Sequence, residues 1–381
     1  VTTFIRAEKL FSGIREQFRE YIGNGQITDQ EGQAYLIREN EVPKQKSDMI
    51  FPRQEIHGEF VLTGYFHVKM LELFRNNVLL MVAGVFILLI KRRKRMTLNI
   101  DQESCIKCGK CVRVCPSDIF TQERAGETIG LVRVESCIVC GHCVDVCPTG
   151  SVSHSEFPPG KTHTIDYSQM PTPEQVMLLI KSRRSNRTLT SRPVPKEMLD
   201  KIVEAAHSAP TATNSQSLSF TVVTDPQKLR QVSDYTIGVF DSSAKLLLNP
   251  VVKCVVKPFM KDVYKYVPVF NRLKEEHKAG KDPILRKATA LLLIHTPKSN
   301  RFGSEDANLA YQNASLMAQS LGVSQIYMGF VLTAIRQEGK DTLAKTLGID
   351  GKIQAIMALG IPAFKYPKYT DRKEIVKNYI E

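Results

Sequence analysis

Eight of the nine cysteines lie in two near copies, "CIKCGKCVRVCP" at residues 105–116 and "CIVCGHCVDVCP" at residues 137–148. Each copy reads C-x2-C-x2-C-x3-C-P. The two-residue turns aim three thiolates at one centre, while the fourth, just before proline, is carried to the other centre. A cubane of iron and sulfide suits that spacing. Two [4Fe–4S] clusters are therefore predicted, one on Cys105, Cys108, Cys111 and Cys147, the other on Cys137, Cys140, Cys143 and Cys115. Gly109 and Gly141 let the backbone turn closely, and Pro116 and Pro148 end each ligand loop. Structural zinc would use paired C-x2-4-C units separated by a longer gap, four ligands to an ion. These runs do not fit it. With one cysteine outside the doublet, a secreted disulfide framework is not indicated either. That cysteine, Cys254 in "VVKCVV", reads as a buried small hydrophobe.

On these motifs the stretch from Asn99 to about Ser155 resembles a bacterial-type two-cluster ferredoxin. Such a module carries single electrons, so a destination is expected elsewhere in the chain. A length of 381 residues suggests two or three domains, and 43% hydrophobic with 24% charged residues is ordinary globular composition. The net charge of +13 is uneven: residues 96–157 hold five Lys/Arg against eight Asp/Glu, and residues 158–381 hold 32 against 20. The basic charge is diffuse and no nucleic-acid-binding signature accompanies it, so no nucleic-acid partner is expected. The acidic and basic parts are expected to dock by charge, within or across subunits, an attraction that salt would weaken.

Beyond a Pro-rich polar linker at 156–173, the elements alternate. "PEQVMLLIKSRRS" is predicted to start a helix at Pro173, with Val176, Leu179 and Ile180 on one face. "PKEMLDKIVEAAHSA" repeats the scheme with Leu199, Ile202, Val203 and Ala206 inward. "FTVVT" (220–224), "ALLLIHT" (290–296) and "IQAIMALG" (353–360) read as strands. "EDANLAYQNASLMAQSLG" is a helix with Leu309, Asn313, Leu316, Met317 and Leu321 recurring, stopped at Gly322.

Polar groups sit between these elements. "KSRRSNR" places Lys181, Arg183, Arg184 and Arg187 around Ser185 at a helix end, a donor set suited to phosphate and equally to a solvated helix terminus. "SAPTATNSQSLSF" (208–220), "SLGVSQIYMGF" (320–330) and "LGIPAFKYPKYTDRK" (359–373) follow it. In order and spacing these resemble the nitroreductase family pattern R-R-S-x-R, then A-P-S-x-x-N-x-Q-P-W-x-F, a helix exit beneath the flavin, and a last strand with a basic tail. The resemblance implies an α+β fold in which an antiparallel sheet is sandwiched by helices, as a domain-swapped homodimer with FMN at the interface. It implies that Arg183, Arg184, Ser185 and Arg187 bind the FMN phosphate, with Arg372 added from the tail. It further implies that Asn214 and Gln216 reach the flavin from the partner subunit and that the Met328–Gly329 backbone faces the ring's N5 edge. Thr211 stands for the usual Ser, Ser217-Leu218 for Pro-Trp, and Phe330 for a second Gly. Residues 257–287 fall where the family varies its lid. Phe259, Tyr264, Tyr266 and Phe270 read either as a flavin cover or as core aromatics.

The organisation expected is thus 1–95 as an extension or anchor, 96–155 as a ferredoxin domain, 156–173 as linker and 174–381 as an FMN domain. The run "VLLMVAGVFILLI" (78–90), followed by "KRRKR", is shorter than the ~20 residues of a spanning helix. It fits a short anchor with its basic end on the cytoplasmic side, or a dispensable extension ahead of Met96. A cytoplasmic place is expected for the rest. The function expected is an iron–sulfur flavoprotein passing electrons from clusters to FMN, then to a nitro, quinone-like or activated-alkene acceptor. The alternative is an electron-transfer subunit serving a partner protein or membrane complex. No G-x-G-x-x-G or P-loop occurs. NAD(P)H, reduced clusters and an external ferredoxin all stand as donors, because nitroreductases bind nicotinamide directly over the flavin. Chemistry at FMN N5 requires no catalytic side chain, and His207 and His295 read as structural.

Overall fold

The computed structural model describes residues 26–28, 34–36, 96–259 and 261–381. Residues 95–381 form one compact unit. In the other unit, β1 (Gln26–Thr28) pairs antiparallel with β2 (Ala34–Leu36). The apolar run 78–90 lies outside the described residues. No helix among those described is long and apolar enough to cross a membrane.

The cysteine doublet folds around a small core. Strand β3 (Leu98–Ile100) pairs with the distant β6 (Val152–His154), closing the first and last segments of the module on each other. Between them β4 (Phe120–Thr121) pairs with β5 (Gly130–Leu131). Leu98, Ile119, Phe120, Ile129 and Val152 are buried together with Cys111 and Cys143. Two short helices, α1 (Lys110–Val114) and α2 (His142–Asp145), follow the first two cysteines of each copy. Their caps, Gly109 and Gly141, have φ of +66° and +81°, a left-handed conformation that glycine adopts without a Cβ penalty.

The remaining residues build a four-stranded antiparallel sheet of order β7-β8-β10-β9, from β7 (Ser219–Val223), β8 (Ala290–Thr296), β9 (Ser324–Tyr327) and β10 (Lys352–Gly360). All seven residues of β8 are buried, because helices cover both faces of the sheet. On one face Leu291, Leu293, Ile356 and Ala358 pack with α5 (Pro226–Leu248), α8 (Val267–Lys278) and α10 (Gly329–Glu338). On the other, Leu292, Ile294, Ala355 and Met357 meet α4 (Lys196–His207) and α9 (Gly303–Ser320). The period of two along each strand divides its side chains between the layers. This is the expected helix-covered antiparallel sheet.

Several local expectations change. Helix α3 (Pro173–Ser182) forms behind a capping box, Thr172 Oγ1 accepting the Gln175 N–H and Gln175 Oε1 the Thr172 N–H. Yet it buries none of its residues, and Val176, Met177, Leu178 and Ile180 are exposed. In α9 the buried face is Ala307, Ala310, Tyr311, Ala314, Ser315 and Ala318, while Leu309 is exposed. Small residues permit close approach to α4 and the sheet, while Met317 and Leu321 of the expected stripe are only partly buried against the same core. Cys254 is exposed, since α6 (Pro250–Val256) presents Val251, Cys254 and Val255 outward. Between α6 and α8 a short helix, α7 (Lys261–Tyr264), completes the segment expected to vary. There Phe270 is core, stacked 4.4 Å from Phe240, whereas Phe259 is 86% exposed and Tyr266 is exposed.

Candidate functional site

The eight doublet thiols line two separate cavities. Cys105, Cys108, Cys111 and Cys147 share one, with Ile106, Gly109 and Lys110 also in its wall. Cys115, Cys137, Cys140 and Cys143 share the other, with Ile138, Gly141 and His142. Cys115 and Cys147 each share a cavity with three thiols of the other copy. Four thiols about one cavity are the donor set that a cubane needs.

Lys107 and Val139, the second residue after the leading cysteine of each copy, both adopt left-handed φ, 55° and 54°. A β-branched valine there is strained. In this conformation the Val139 N–H donates to Cys137 Sγ at 3.4 Å. Other donors reach the sulfurs: Ile119 N–H to Cys115 Sγ at 3.4 Å, and the Thr149 hydroxyl 3.7 Å from Cys147 Sγ. His154 Nδ1 accepts the Glu156 N–H, which places the ring proton on Nε2, 3.6 Å from Cys137 Sγ. Burial holds this imidazole below its ordinary pKa, favouring the neutral ring. Burial makes three of the thiols, Cys111, Cys137 and Cys143, resist ionisation. Burial first, then the Cys137 and Cys140 thiols, push Cys143 up to about 12. Burial also raises Cys111 and Cys137. At Cys147 burial is opposed and outweighed by hydrogen bonds from Thr149, Val152 and Ser151, which hold it below its usual value.

The basic segment leaves the end of α3. Arg183 is its half-buried C-cap residue and lies near Tyr311, whose phenol burial raises. Arg184 folds back, Nη1 donating to the carbonyls of Lys181 at 2.8 Å and Arg183 at 3.2 Å, so it caps the helix end rather than pointing away. Ser185 is half-buried and Arg187 exposed. The buried Asn186 between them fixes the segment. Its side-chain amide donates to the Phe364 carbonyl, and its backbone carbonyl accepts the Ser324 hydroxyl of β9, both at 2.8 Å. The tail returns to the same place: Lys181 meets Asp371 at 3.7 Å and sits 5.5 Å above the Tyr369 ring. Arg372, exposed, follows directly.

Met328 and Gly329 join β9 to α10. The Met328 N–H is taken by the Ile356 carbonyl, leaving Gly329 to present its N–H at the first turn of α10, where a helix supplies no acceptor of its own. The segment 211–216 is held by residues the sequence did not single out. Buried Asp306 Oδ1 accepts the Ala212 N–H at 2.9 Å, and Thr211 Oγ1 accepts the Gln216 N–H at 3.0 Å. Thr213, Asn214 and Gln216 all have positive φ. The Asn214 amide donates to the carbonyls of Ile138 at 3.1 Å and Val139 at 2.7 Å, inside the second cysteine loop. Among the described residues no ion pair links 96–157 to 158–381; within the chain a neutral amide joins them. Nor does any hydrogen bond among them connect 211–216 to 183–187. His295, buried with Nε2 3.0 Å from the Thr221 hydroxyl, braces β8 against β7.

The chain thus combines a paired-thiolate module with a helix-sandwiched antiparallel sheet, the design of a two-part redox protein. Comparison assigns both parts: residues 97–148 match the 4Fe-4S dicluster domain, and residues 180–361 are a domain of the nitroreductase family. The "FMN reductase [NAD(P)H]" of Bacillus subtilis is 28% identical over 162 residues, covering 41% of this chain and 55% of that protein. The chain therefore spans little more than half of that relative. Iodotyrosine deiodinase 1 of Rattus norvegicus is 39% identical over 57 residues, 14% of this chain and 20% of its own length. A nitroreductase structure with bound FMN from Bacteroides fragilis covers 54% of this chain and 99% of its own, at 20% identity and a TM-score of 0.42.

Proposed function

We propose that this chain is an iron–sulfur flavoprotein oxidoreductase that passes electrons from two [4Fe–4S] clusters to FMN and then to a nitro, quinone-like or activated-alkene acceptor. The observation that carries it is the Asn214 bridge: the segment matching a flavin-binding motif is bonded to the loop of one four-thiol cavity. Cys105, Cys108, Cys111 and Cys147 hold one cluster, and Cys115, Cys137, Cys140 and Cys143 the other. When bound, the clusters supply one-electron steps and FMN converts these into a two-electron reduction.

Arg183, Ser185, Arg187 and Arg372 hold the FMN phosphate, with Arg184 stiffening the helix end beneath it. Gly329 presents a backbone donor at the ring's edge. Asn214 and Gln216 approach the flavin of a second subunit, with the Asn214 amide already committed to the cysteine loop. The exposed apolar side chains of α3, α6 and the tail, including Ile375, Val376 and Ile380, support a homodimer that covers them. The domain limits 96–155, 156–173 and 174–381 follow from this division of labour, with NAD(P)H or a reduced ferredoxin as donor.

The test is anaerobic turnover of a nitroaromatic by the full chain, with dithionite-reduced ferredoxin and NADPH as alternative donors. Steady reduction with ferredoxin supports the proposal. Flavin bleached by NADPH, but never through the clusters, refutes the transfer. Full iron and flavin content without turnover of any acceptor favours the electron-transfer subunit.

A further inference from the structure

The two ligand loops share a pattern but not a setting. Ile106 is 62% exposed and Cys108 is exposed, whereas their counterparts Ile138 and Cys140 are partly covered. The Ile138 and Val139 carbonyls are occupied by Asn214, so the second loop faces the nitroreductase-family domain. Charge divides the same way. Lys107, Lys110 and Arg113 of the first copy correspond to Val139, His142 and Asp145 of the second. Lys110 and Arg113 are exposed on α1, and Ile106, Cys108 and Lys110 line the first cavity itself, so its wall reaches the surface at an apolar residue flanked by cations. The acids preceding the loop are Asp101 and Glu103. The Asp101 carboxylate is engaged by Ser104 Oγ at 2.6 Å and the Glu103 N–H at 3.0 Å.

We propose that the Cys105–Cys108 loop is the docking face for an acidic one-electron carrier protein, the second loop being the one turned inward. This rests on the cluster reading above. An apolar centre inside a charged rim is the anatomy of a contact that must form and release quickly, with the rim setting the encounter rate. A second copy of this chain is the poorer occupant, because a two-fold contact through this loop would set its cations against themselves. In each encounter the carrier loses one electron and the centre held by Cys105, Cys108, Cys111 and Cys147 gains it. No proton or covalent bond changes hands.

The experiment uses the full, iron-loaded chain and an acidic plant-type [2Fe–2S] ferredoxin as probe. Carbodiimide cross-linking, which joins lysine to carboxylate, is mapped by mass spectrometry, and affinity is measured by biolayer interferometry. Cross-links at Lys107 or Lys110 are expected. The variant K110H/R113D, which gives the first copy the second copy's residues, should bind about tenfold more weakly at low ionic strength, a difference that closes as salt screens it. Lys201→Glu on α4 should change affinity less than twofold. Cross-links confined to lysines of residues 158–381, links between two copies through Lys107 or Lys110, or wild-type affinity in the double variant each overturn the docking face. Iron-free wild-type protein overturns the cluster reading and this proposal together. Iron-loaded protein without the expected cross-links overturns the docking face alone.

Discussion

Asn214→Asp isolates the bridge between the cysteine module and the nitroreductase-family domain. Aspartate keeps the size of asparagine and tolerates the left-handed backbone, φ 50°, at this position. It replaces the two N–H groups, 3.1 and 2.7 Å from the Ile138 and Val139 carbonyls, with an oxygen that only accepts. A neutral hydrogen bond contributes about 0.5–1.5 kcal/mol net. Loss of two in a half-buried contact therefore costs about 2 kcal/mol, or roughly 30-fold in the opening equilibrium at ~1.4 kcal/mol per decade. Native-state hydrogen exchange reads this directly. Peptides covering 137–148 and 211–220 should exchange roughly 30-fold faster, with 105–116 and the buried strand at 290–296 unchanged. Because the bridging groups are neutral, salt should alter wild-type exchange at this loop by less than about twofold. Equal acceleration in both cysteine loops, or none in the second, would refute the bridge.

Crossed ligation predicts that Cys115→Ser and Cys140→Ser remove the same centre. The double variant should then lose no more iron than either single one, whereas Cys115→Ser with Cys108→Ser loses both; iron analysis decides. Phe240→Ala removes a fully buried ring stacked on Phe270, so thermal melts should show a loss of about 3–5 kcal/mol. Asp306→Ala leaves the Ala212 N–H unpaired beside a buried site and should cost about 1–3 kcal/mol, with faster exchange confined to 211–216. Burial holds His295 below its ordinary pKa, so the unfolded chain binds its proton first. Its contribution is present above pH ~6.5 and is lost as pH falls from there through the lowered folded value. His295→Gln should melt with a smaller decline between pH 7 and 5 than the wild type.

What could be read from the sequence was what is local. The cysteine spacing sets the ligand loops because neighbouring residues determine the turns, and the left-handed Gly109 and Gly141 sit where the pattern put them. The strands at 290–296 and 353–360 were legible as apolar runs bounded by breakers. Apolar spacing misled where partners decide burial. The leucines of α9 looked like its buried face, but tight packing against α4 selected alanines. The apolar run around Cys254 looked like core, yet it faces outward. The contact of Asn214 with Ile138 and Val139 spans more than 70 residues and relies on backbone carbonyls, which carry no signature in side-chain types. Asp306 had a faint signal, as an acid in the first turn of a helix, but its partner was invisible. The long helix at 226–248 is marked in the sequence only at its start, by Asp225-Pro226, where the Asp225 carboxylate accepts the Gln227 N–H.

Anaerobic purification followed by iron, sulfide and flavin analysis tests most directly whether metal centres and flavin share one chain. About eight iron and eight sulfide per chain for two cubanes, together with one FMN and a brown-yellow colour, are expected. A zinc-loaded or metal-free chain, or one that retains iron but never flavin, would contradict this expectation.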